Sequence, residues 1–456
     1  MSKNTFHLVS LGCAKNTVDS DSMAQLLIRD GYHAVDDPTR ATVLIVNTCG
    51  FIGPAKQESL DVLRELADGK RNNQILIAAG CLTQRYGAEV AEKVPGIDGV
   101  LGTRRWMDVV QVVRELRKGP HPEPLYHLPD AKTVGTDEQN TMRVSVAGAS
   151  AYVKVADGCR RPCAFCAIPL IKGTAVSRPV DVIIDEARRL RDAGVRELVL
   201  IAQDTTDYGH DLGMKDGLAI LLEQLTTSVP DMEWIRIMYA YPGYVTDRMI
   251  DVMASSEQIL PYLDMPLQHA HPKTLYRMRR PSNIDWVHRT LDTMRSKISN
   301  PSTGSGRRLA LRTTFIVGYP GETEEEYQAL LDFVHEIRFD RVGTFQFSFE
   351  PGTTSEPLGD PIPAEVKQER FERLMELQQG ISMQINQSYV GKTLDVLVEG
   401  KDKGIAIGRS YRDAPEIDGM VFIEGDAKIG SILPVRISGA MAYDLTGTLA
   451  PEPIKL

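Results

Sequence analysis

The chain has 456 residues, 42% hydrophobic and 25% charged, with a formal net charge of −9. At roughly 150 residues per domain, this composition suggests a soluble globular protein of about three domains. No apolar run reaches the ~20 residues a membrane span needs, the start Met1 to His7 lacks a signal-peptide core, and the acidic balance argues against phosphate gripping as the main task while making a basic protein a plausible partner.

Residues 1–117 alternate short apolar strands with helical segments. Phe6–Leu11, Ala41–Val46 and Ile75–Ala79 read as strands, and Ser20–Arg29 as a helix. Apolar strands separated by helices predict a doubly wound α/β domain with a parallel sheet covered on both faces. Residues 118–150 are rich in Pro, His, Asp, Thr and Gly, and read as a linker. Alternation resumes over 151–385, with strands at Ala151–Ala156, Glu197–Ala202, Trp234–Met238, Leu309–Val317 and Arg341–Phe347. This pattern predicts a partial TIM-type barrel, with its chemistry at the C-terminal strand ends. Glu365 to about Gln387 reads as one charged helix leaving that domain. In 386–456, Thr393–Val398, Gly404–Gly408, Met420–Ile423 and Ile432–Ile437 are glycine-punctuated strands, predicting a small antiparallel, OB-like β-barrel.

Without a secretion signal, the six cysteines are expected in a reducing cytoplasm, where clustered thiols read as metal ligands or redox groups. They fall into two sets of three. Cys159, Cys163 and Cys166 have the spacing C-x3-C-x2-C directly after a strand. Thiolates suit zinc or iron–sulfur clusters. Structural zinc needs a fourth ligand, for which His210, His269 and His271 are candidates. A cubane held by three cysteines keeps one iron open. Cys13, Cys49 and Cys81 are scattered, yet each lies just past the C-terminal end of a predicted parallel strand, the edge where α/β folds bind ligands. Adjacent Gly12, Gly50 and Gly80 permit close backbone approach to a bulky group. The alternative is three unrelated core cysteines.

The segment Gly158-Cys159 to Cys166-Ala167-Ile168-Pro169 resembles the radical S-adenosylmethionine signature. Gly12-Cys13-Ala14-Lys15-Asn16-Thr17-Val18-Asp19-Ser20, Asn47-Thr48-Cys49 and Gly80-Cys81-Leu82 resemble the N-terminal motifs of the radical S-adenosylmethionine methylthiotransferase family, and the tail is similar to its TRAM module. The continuation Ile168-Pro169-Leu170-Ile171-Lys172-Gly173 resembles the branch that methylthiolates an aspartate β-carbon in small-subunit ribosomal protein S-twelve. A related branch acts on an isopentenylated adenosine in tRNA. Residues 386–456 carry eight Lys/Arg against ten Asp/Glu, a net of −2, which suits a basic protein better than tRNA phosphates. A non-enzymatic zinc-stabilised adaptor is a third reading.

The resemblance implies two [4Fe-4S] clusters, one per cysteine set, and two S-adenosylmethionine molecules. One is cleaved at the Cys159/Cys163/Cys166 cluster to a 5′-deoxyadenosyl radical; the other methylates a sulfide carried at the Cys13/Cys49/Cys81 cluster. No catalytic side chain is expected beyond the cluster ligands, because the cofactors carry the hard chemistry. Phe165 either shields the cluster, packs on adenine, or fills the core. Gly318-Tyr319-Pro320-Gly321 resembles the family's cofactor-contacting turn, so Gly318, Pro320 and Gly321 are candidates. Gln203 matches a polar cofactor-facing position, though an ordinary loop Gln reads the same. His269 is expected to be a structural histidine, and Glu322–Glu326 to start a helix at its positive dipole end. The resemblance also implies a flavodoxin- or ferredoxin-type electron donor, a monomer, no membrane association, and a possible ribosome or RNA contact through the tail.

Overall fold

Six parallel strands open the chain: β1 (Thr5–Ser10), β2 (His33–Ala34), β3 (Val43–Thr48), β4 (Ile75–Gly80), β5 (Gly99–Gly102) and β6 (Leu125–His127), in the spatial order β2-β1-β3-β4-β5-β6. Helices α1 (Ala14–Arg29), α2 (Gly53–Gly69), α3 (Cys81–Lys93) and α4 (Val109–Leu116) alternate with them. The side-chain period of two sends Val43 and Ile45 into one apolar layer with Leu26, Leu27, Val112 and Val113 of α1 and α4. Leu44 and Val46 enter the opposite layer with Leu60, Leu63, Leu82 and Val90 of α2 and α3. Burying each such side chain stabilises the fold by about 1.5–3 kcal/mol. The sheet is therefore doubly wound, as the sequence pattern predicts. Its order reverses at β1, with β2 on one side and β3 on the other. Loops leaving such a switch point diverge and open a crevice at the strands' C-terminal ends.

The computed structural model describes residues 4–119, 121–135, 140–298 and 307–450. The chain divides into two units: Met1–Ser145 with Tyr152–Ser177 and Glu350–Glu356, and Val146–Ala151 with Arg178–Phe349 and Pro357–Leu456. Strands β7 (Val144–Ala147) and β8 (Ser150–Lys154) are shared between these ranges. The first unit also holds β9 (Ala156–Asp157), α5 (Ile168–Lys172) and β10 (Val176–Ser177), with β9 and β10 antiparallel. The stretch 118–150, expected as a linker, supplies β6, which pairs with β5 and extends the first sheet. Three residues among Pro and His are too few to show a strand period. The cysteine-bearing segment 159–166 lies in the same compact unit as the N-terminal sheet.

The second unit continues with α6 (Val180–Asp192), β11 (Glu197–Ile201), α7 (Gly217–Ser228), β12 (Trp234–Ile237), α8 (Asp247–Ser255) and β13 (Tyr262–Asp264). Then come α9 (Pro272–Arg277), α10 (Ile284–Ile298), β14 (Ala310–Val317), α11 (Glu324–Ile337) and β15 (Arg341–Gln346). Strands β11 and β12 pair in parallel, as do β13, β14 and β15, and a bridge between Ile235 and Ile259 joins the two groups. These are the repeated βα units of a partial barrel.

Helix α12 (Ala364–Gln387) corrects one expectation. It does not leave the domain but packs on β14 and β15 and on a strand of the tail. Its charges mislead in the sequence because several are buried: Arg370 donates to Glu322 at 2.8 Å, and Lys367 pairs with Asp360. The tail forms a closed barrel of β16 (Thr393–Asp402), β17 (Ile405–Ser410), β18 (Val421–Glu424), β19 (Ile432–Ala440) and β20 (Leu445–Leu449). Strand β20 was not read from the sequence, and its pairing with β18 is parallel, the one departure from an antiparallel barrel among the described pairs. Four buried arginines tie this barrel to the rest of the second unit. Arg409 reaches Glu197 at 2.7 Å, Arg236 donates to the Tyr411 carbonyl at 2.9 Å, Arg341 reaches Asp413 at 2.7 Å, and Arg412 reaches Asp340 at 3.0 Å. The barrel thus lies in the same compact unit as β11–β15. Among the described residues no helix is long and apolar enough to cross a membrane.

Candidate iron–sulfur and cofactor sites

Strands β1, β3 and β4 lie side by side, so the residues that follow them emerge at one edge of the sheet. Cys13 follows β1 as the N-cap of α1, Cys49 follows β3, and Cys81 is the first residue of α3 after β4. The sequence expectation that the three thiols share this edge is met by the topology. A Cβ added to Gly12, whose φ is +93°, would stand 2.8 Å from Cys49 Cβ and 3.0 Å from its Sγ. A Cβ on Gly50 would lie 2.6 Å from Leu82 Cα and 3.0 Å from the Cys81 carbonyl carbon. The first loop therefore touches the second cysteine, and the second loop touches the third.

Polar side chains lock these loops. Asn16 Nδ2 donates to the carbonyls of Leu11 (2.6 Å) and Asn47 (2.9 Å), while Asn47 Nδ2 donates back to Asn16 O (3.0 Å) and to Ser20 Oγ (2.8 Å). The Cys49 backbone N–H donates to Ser59 Oγ at 3.0 Å. Asn16 and Asn47 stood in the motifs, but their reciprocal pairing joins residues 31 apart and cannot be read from spacing.

Burial pushes the Cys81 thiol up to about 12, against the pull of Lys172. It raises Cys49 as well. Crowding by the surrounding chain would also raise Cys13, although the residue itself keeps an exposed side, but Lys15, the Asn16 backbone N–H and Lys172 outweigh it and bring that thiol below its ordinary value. Protein charges alone thus pull only Cys13 towards the thiolate form, and a bound cationic centre would favour the thiolate at all three. Cys13 is exposed and the other two half-buried, which leaves an open side. A single zinc holds thiolates about 2.3 Å from one centre, whereas a cubane bonds each thiolate to a different iron. Three soft thiolates delivered to one sheet edge are a donor set a cubane can take, one thiolate per iron with the fourth iron open.

Cys159, Cys163 and Cys166 occupy the loop between β9 and α5, all half-buried. The Cys159 backbone N–H donates to Gly173 O at 3.0 Å, the Arg161 N–H to Cys159 Sγ at 3.4 Å, and the Cys166 N–H to Cys163 O at 3.2 Å. Phe165 sits half-buried in this loop. Ser355 N–H donates to Ala164 O at 2.8 Å, so segment 350–356 backs the loop. That segment is anchored by buried Glu350, which receives Lys56 of α2 at 2.6 Å and Arg85 of α3 at 2.8 Å. The helices that follow Cys49 and Cys81 are thereby fastened to the support of the other triplet, within one unit.

In the second unit, Gln203 is half-buried just beyond the C-terminal end of β11. Gly318, Pro320 and Gly321 form the turn beyond the end of β14, with φ of +71° at Gly318 and +80° at Gly321. Glu322, which the sequence reading left in an acidic run, is fully buried beneath this turn. Its Oε2 accepts from the Gly318 N–H at 3.0 Å, and its Oε1 accepts from Arg370 at 2.8 Å. His269 Nδ1 accepts from the His271 N–H at 3.0 Å, and its Nε2 faces Glu322 at 3.6 Å, which fits a structural histidine. The helix expected from the acidic run begins at Glu324, capped by Thr323 and Glu326 in a capping box. A cavity of about 560 Å³ lined by Arg196, Trp234, Glu257, Arg307, Asp395 and Ile432 lies at the opposite, N-terminal ends of β11 and β12. In barrels of this kind the chemistry belongs to the C-terminal ends, so that cavity is not the candidate site.

Three family models match the chain: "Uncharacterized protein family UPF0004" over residues 5–102, the radical SAM superfamily over 153–334, and the TRAM domain over 390–450. The chain is 45% identical over 469 aligned residues to "Ribosomal protein uS12 methylthiotransferase RimO" of Roseiflexus sp. (strain RS-1), covering 98% of each chain. It is 47% identical to the protein of the same name from Chloroflexus aurantiacus, covering 97% of this chain and 99% of that one. A solved structure with the same fold is the radical S-adenosylmethionine methyltransferase TsrM from Kitasatospora setae. Its TM-score is 0.57 at 12% identity, with 88% of this chain and 79% of that chain covered.

Proposed function

The chain belongs to the ribosomal protein uS12 methylthiotransferase family of radical S-adenosylmethionine enzymes, and from that premise we propose that it methylthiolates the β-carbon of an aspartate in small-subunit ribosomal protein S-twelve. The observation that carries this reading is the convergence of Cys13, Cys49 and Cys81 on the switch-point edge of the first sheet, in the same unit as Cys159, Cys163 and Cys166. Two separate sets of three thiols are what a sulfur-inserting radical enzyme needs; a plain radical enzyme needs one.

In this reading each set holds one [4Fe-4S] cluster, and two S-adenosylmethionine molecules are used. When bound, these groups supply the one-electron chemistry that replaces an unactivated C–H bond with a C–S bond, beyond the reach of acid–base side chains. The chain's own residues bind, orient and shield. Phe165 covers one side of its cysteine loop. Gln203, Gly318, Pro320 and Gly321 contact S-adenosylmethionine, and Glu322 fixes the Gly318 turn for that contact through the backbone N–H. Precise placement of reactants is the main contribution a protein makes to such chemistry. The electron arrives from a flavodoxin- or ferredoxin-type donor, the tail contributes to recognising the substrate or the ribosome, and the enzyme works as a cytoplasmic monomer.

The deciding experiment offers anaerobically reconstituted protein both recombinant ribosomal protein S-twelve and tRNA carrying isopentenylated adenosine. A methylthio mass increment localised to an aspartate of the protein is expected. An increment on tRNA alone would assign the chain to the other branch.

A further inference from the structure

A buried cluster of five charged side chains lies in the first unit, and none of the five was singled out as a site residue from the sequence. Lys172, the last residue of α5, donates to Asp19 Oδ2 at 2.9 Å and to Asp157 Oδ1 at 3.1 Å. Lys154 pairs with the same two carboxylates, and so does Arg143. The Asp157 side chain is 12% exposed and the other four are 5% or less. Together the five carry a net charge of +1. Collecting ions in a low-dielectric interior costs several kcal/mol per ion unless their partners offset it, so this group calls for more than a packing role.

Its position suggests that role. Asp19 lies on α1, which Cys13 caps, and Asp157 lies just before Cys159. Lys172 closes α5, the helix that starts just after Cys166, and α5 packs against α3, whose first residue is Cys81. The cluster therefore joins elements that carry residues of both thiol sets. Burial would lower Lys172, but Asp157 and Asp19 outweigh it and hold the ammonium charged far above its ordinary range.

We infer that Lys172 is a positioning residue for charge at the Cys13/Cys49/Cys81 site: held by Asp19 and Asp157, its ammonium is the counter-charge for the extra negative charge a three-thiolate cluster gains on reduction or on binding an anionic sulfur. The inference rests on the cluster assignment proposed above. A fixed cation beside a cluster stabilises its reduced form and raises its reduction potential, net charge being one of the protein's levers on that quantity. The two acids act in the opposite sense, because each weakens the field of Lys172.

The test is an EPR-monitored redox titration of the full chain with dithionite, in a Cys159→Ala/Cys163→Ala/Cys166→Ala background where only the other cluster remains. Iron is counted first. An iron-free protein removes the cluster assignment, and the inference falls with it. With iron bound, Lys172→Gln should shift the potential downwards, Lys172→Arg should restore it, and Asp19→Asn should shift it upwards. Lys172→Gln leaves two cations facing two acids, a balanced interior. Should that variant nevertheless fail to accumulate, Asp19→Asn decides alone. A purely structural cluster would not give shifts of opposite sign. An unchanged potential in either substitution, with the cluster present, overturns the inference and leaves the cluster assignment standing.

Discussion

Glu322 Oε2 accepts a hydrogen bond from the Gly318 backbone N–H at 3.0 Å, so a fully buried carboxylate holds the turn that follows β14. Arg370 pairs with the other oxygen of that carboxylate. Removing one partner of a buried pair leaves a stranded charge and costs about 3–5 kcal/mol. Glu322→Ala should therefore lower the thermal midpoint and weaken S-adenosylmethionine binding by about tenfold, equal to about 1.4 kcal/mol. Equilibrium dialysis on the reconstituted protein measures the second effect. Unchanged affinity in a destabilised variant would mean the turn does not meet the cofactor.

Gly12 supports the other site by having no side chain. Its φ of +93° and the 2.8 Å approach to Cys49 Cβ leave no room for a methyl group. Gly12→Ala should cost about 1–3 kcal/mol in local strain and push the Cys13 loop away from Cys49. We expect loss of about four irons per chain from that site, with the Cys159/Cys163/Cys166 EPR signal retained. Full iron content in the variant would place the cluster elsewhere.

Acid should loosen the second unit through Glu197. Burial would raise this carboxylate, but Arg409 and Arg236 bring it from its ordinary 4.5 to about 2. A folded pKa below the unfolded one means that the unfolded chain binds the proton more readily. The stabilisation is thus fully present above about pH 4.5 and is lost as pH falls towards 2. It amounts to about 3 kcal/mol at neutral pH. Urea unfolding at pH 6 and pH 3.5 should show a larger loss in the native chain than in Glu197→Gln, which lacks the titrating group. Equal losses would show that Glu197 is not the responsible carboxylate.

Truncation after residue 385 should not yield a folded remainder. It would leave Asp340 without Arg412 and Arg341 without Asp413, each buried, and Glu197 with Arg236 as its one remaining arginine among the described pairs. Uncompensated buried charges of this kind are strongly destabilising. We expect no cooperative thermal transition in the second unit of the shortened chain. A native-like transition would mean that the terminal barrel is an independent module.

What was legible in the sequence had a short-range signature. Val43–Val46 announced a strand buried on both faces, and Cys13, Cys49 and Cys81 each followed such a strand, so the sheet edge could be inferred without contacts. The C-x3-C-x2-C spacing is local by definition. What was hidden is long-range. Asp19 meets Lys154 and Lys172 across 135 and 153 residues, and no periodicity records that pairing. The packing of helix α12 is invisible in sequence because Lys367 and Arg370 look solvated there, whereas both are buried and paired with Asp360 and Glu322. In sequence Glu322 is indistinguishable from the helix-starting acidic run, although it sits beneath the Gly318 turn.

The measurement closest to the central claim is iron and acid-labile sulfide analysis of the anaerobically reconstituted native chain beside its two triple variants. We predict about eight irons in the native chain, and about four in both Cys13→Ala/Cys49→Ala/Cys81→Ala and Cys159→Ala/Cys163→Ala/Cys166→Ala. About four irons in the native chain, unaffected by loss of Cys13, Cys49 and Cys81, or stoichiometric zinc in their place, would contradict the account.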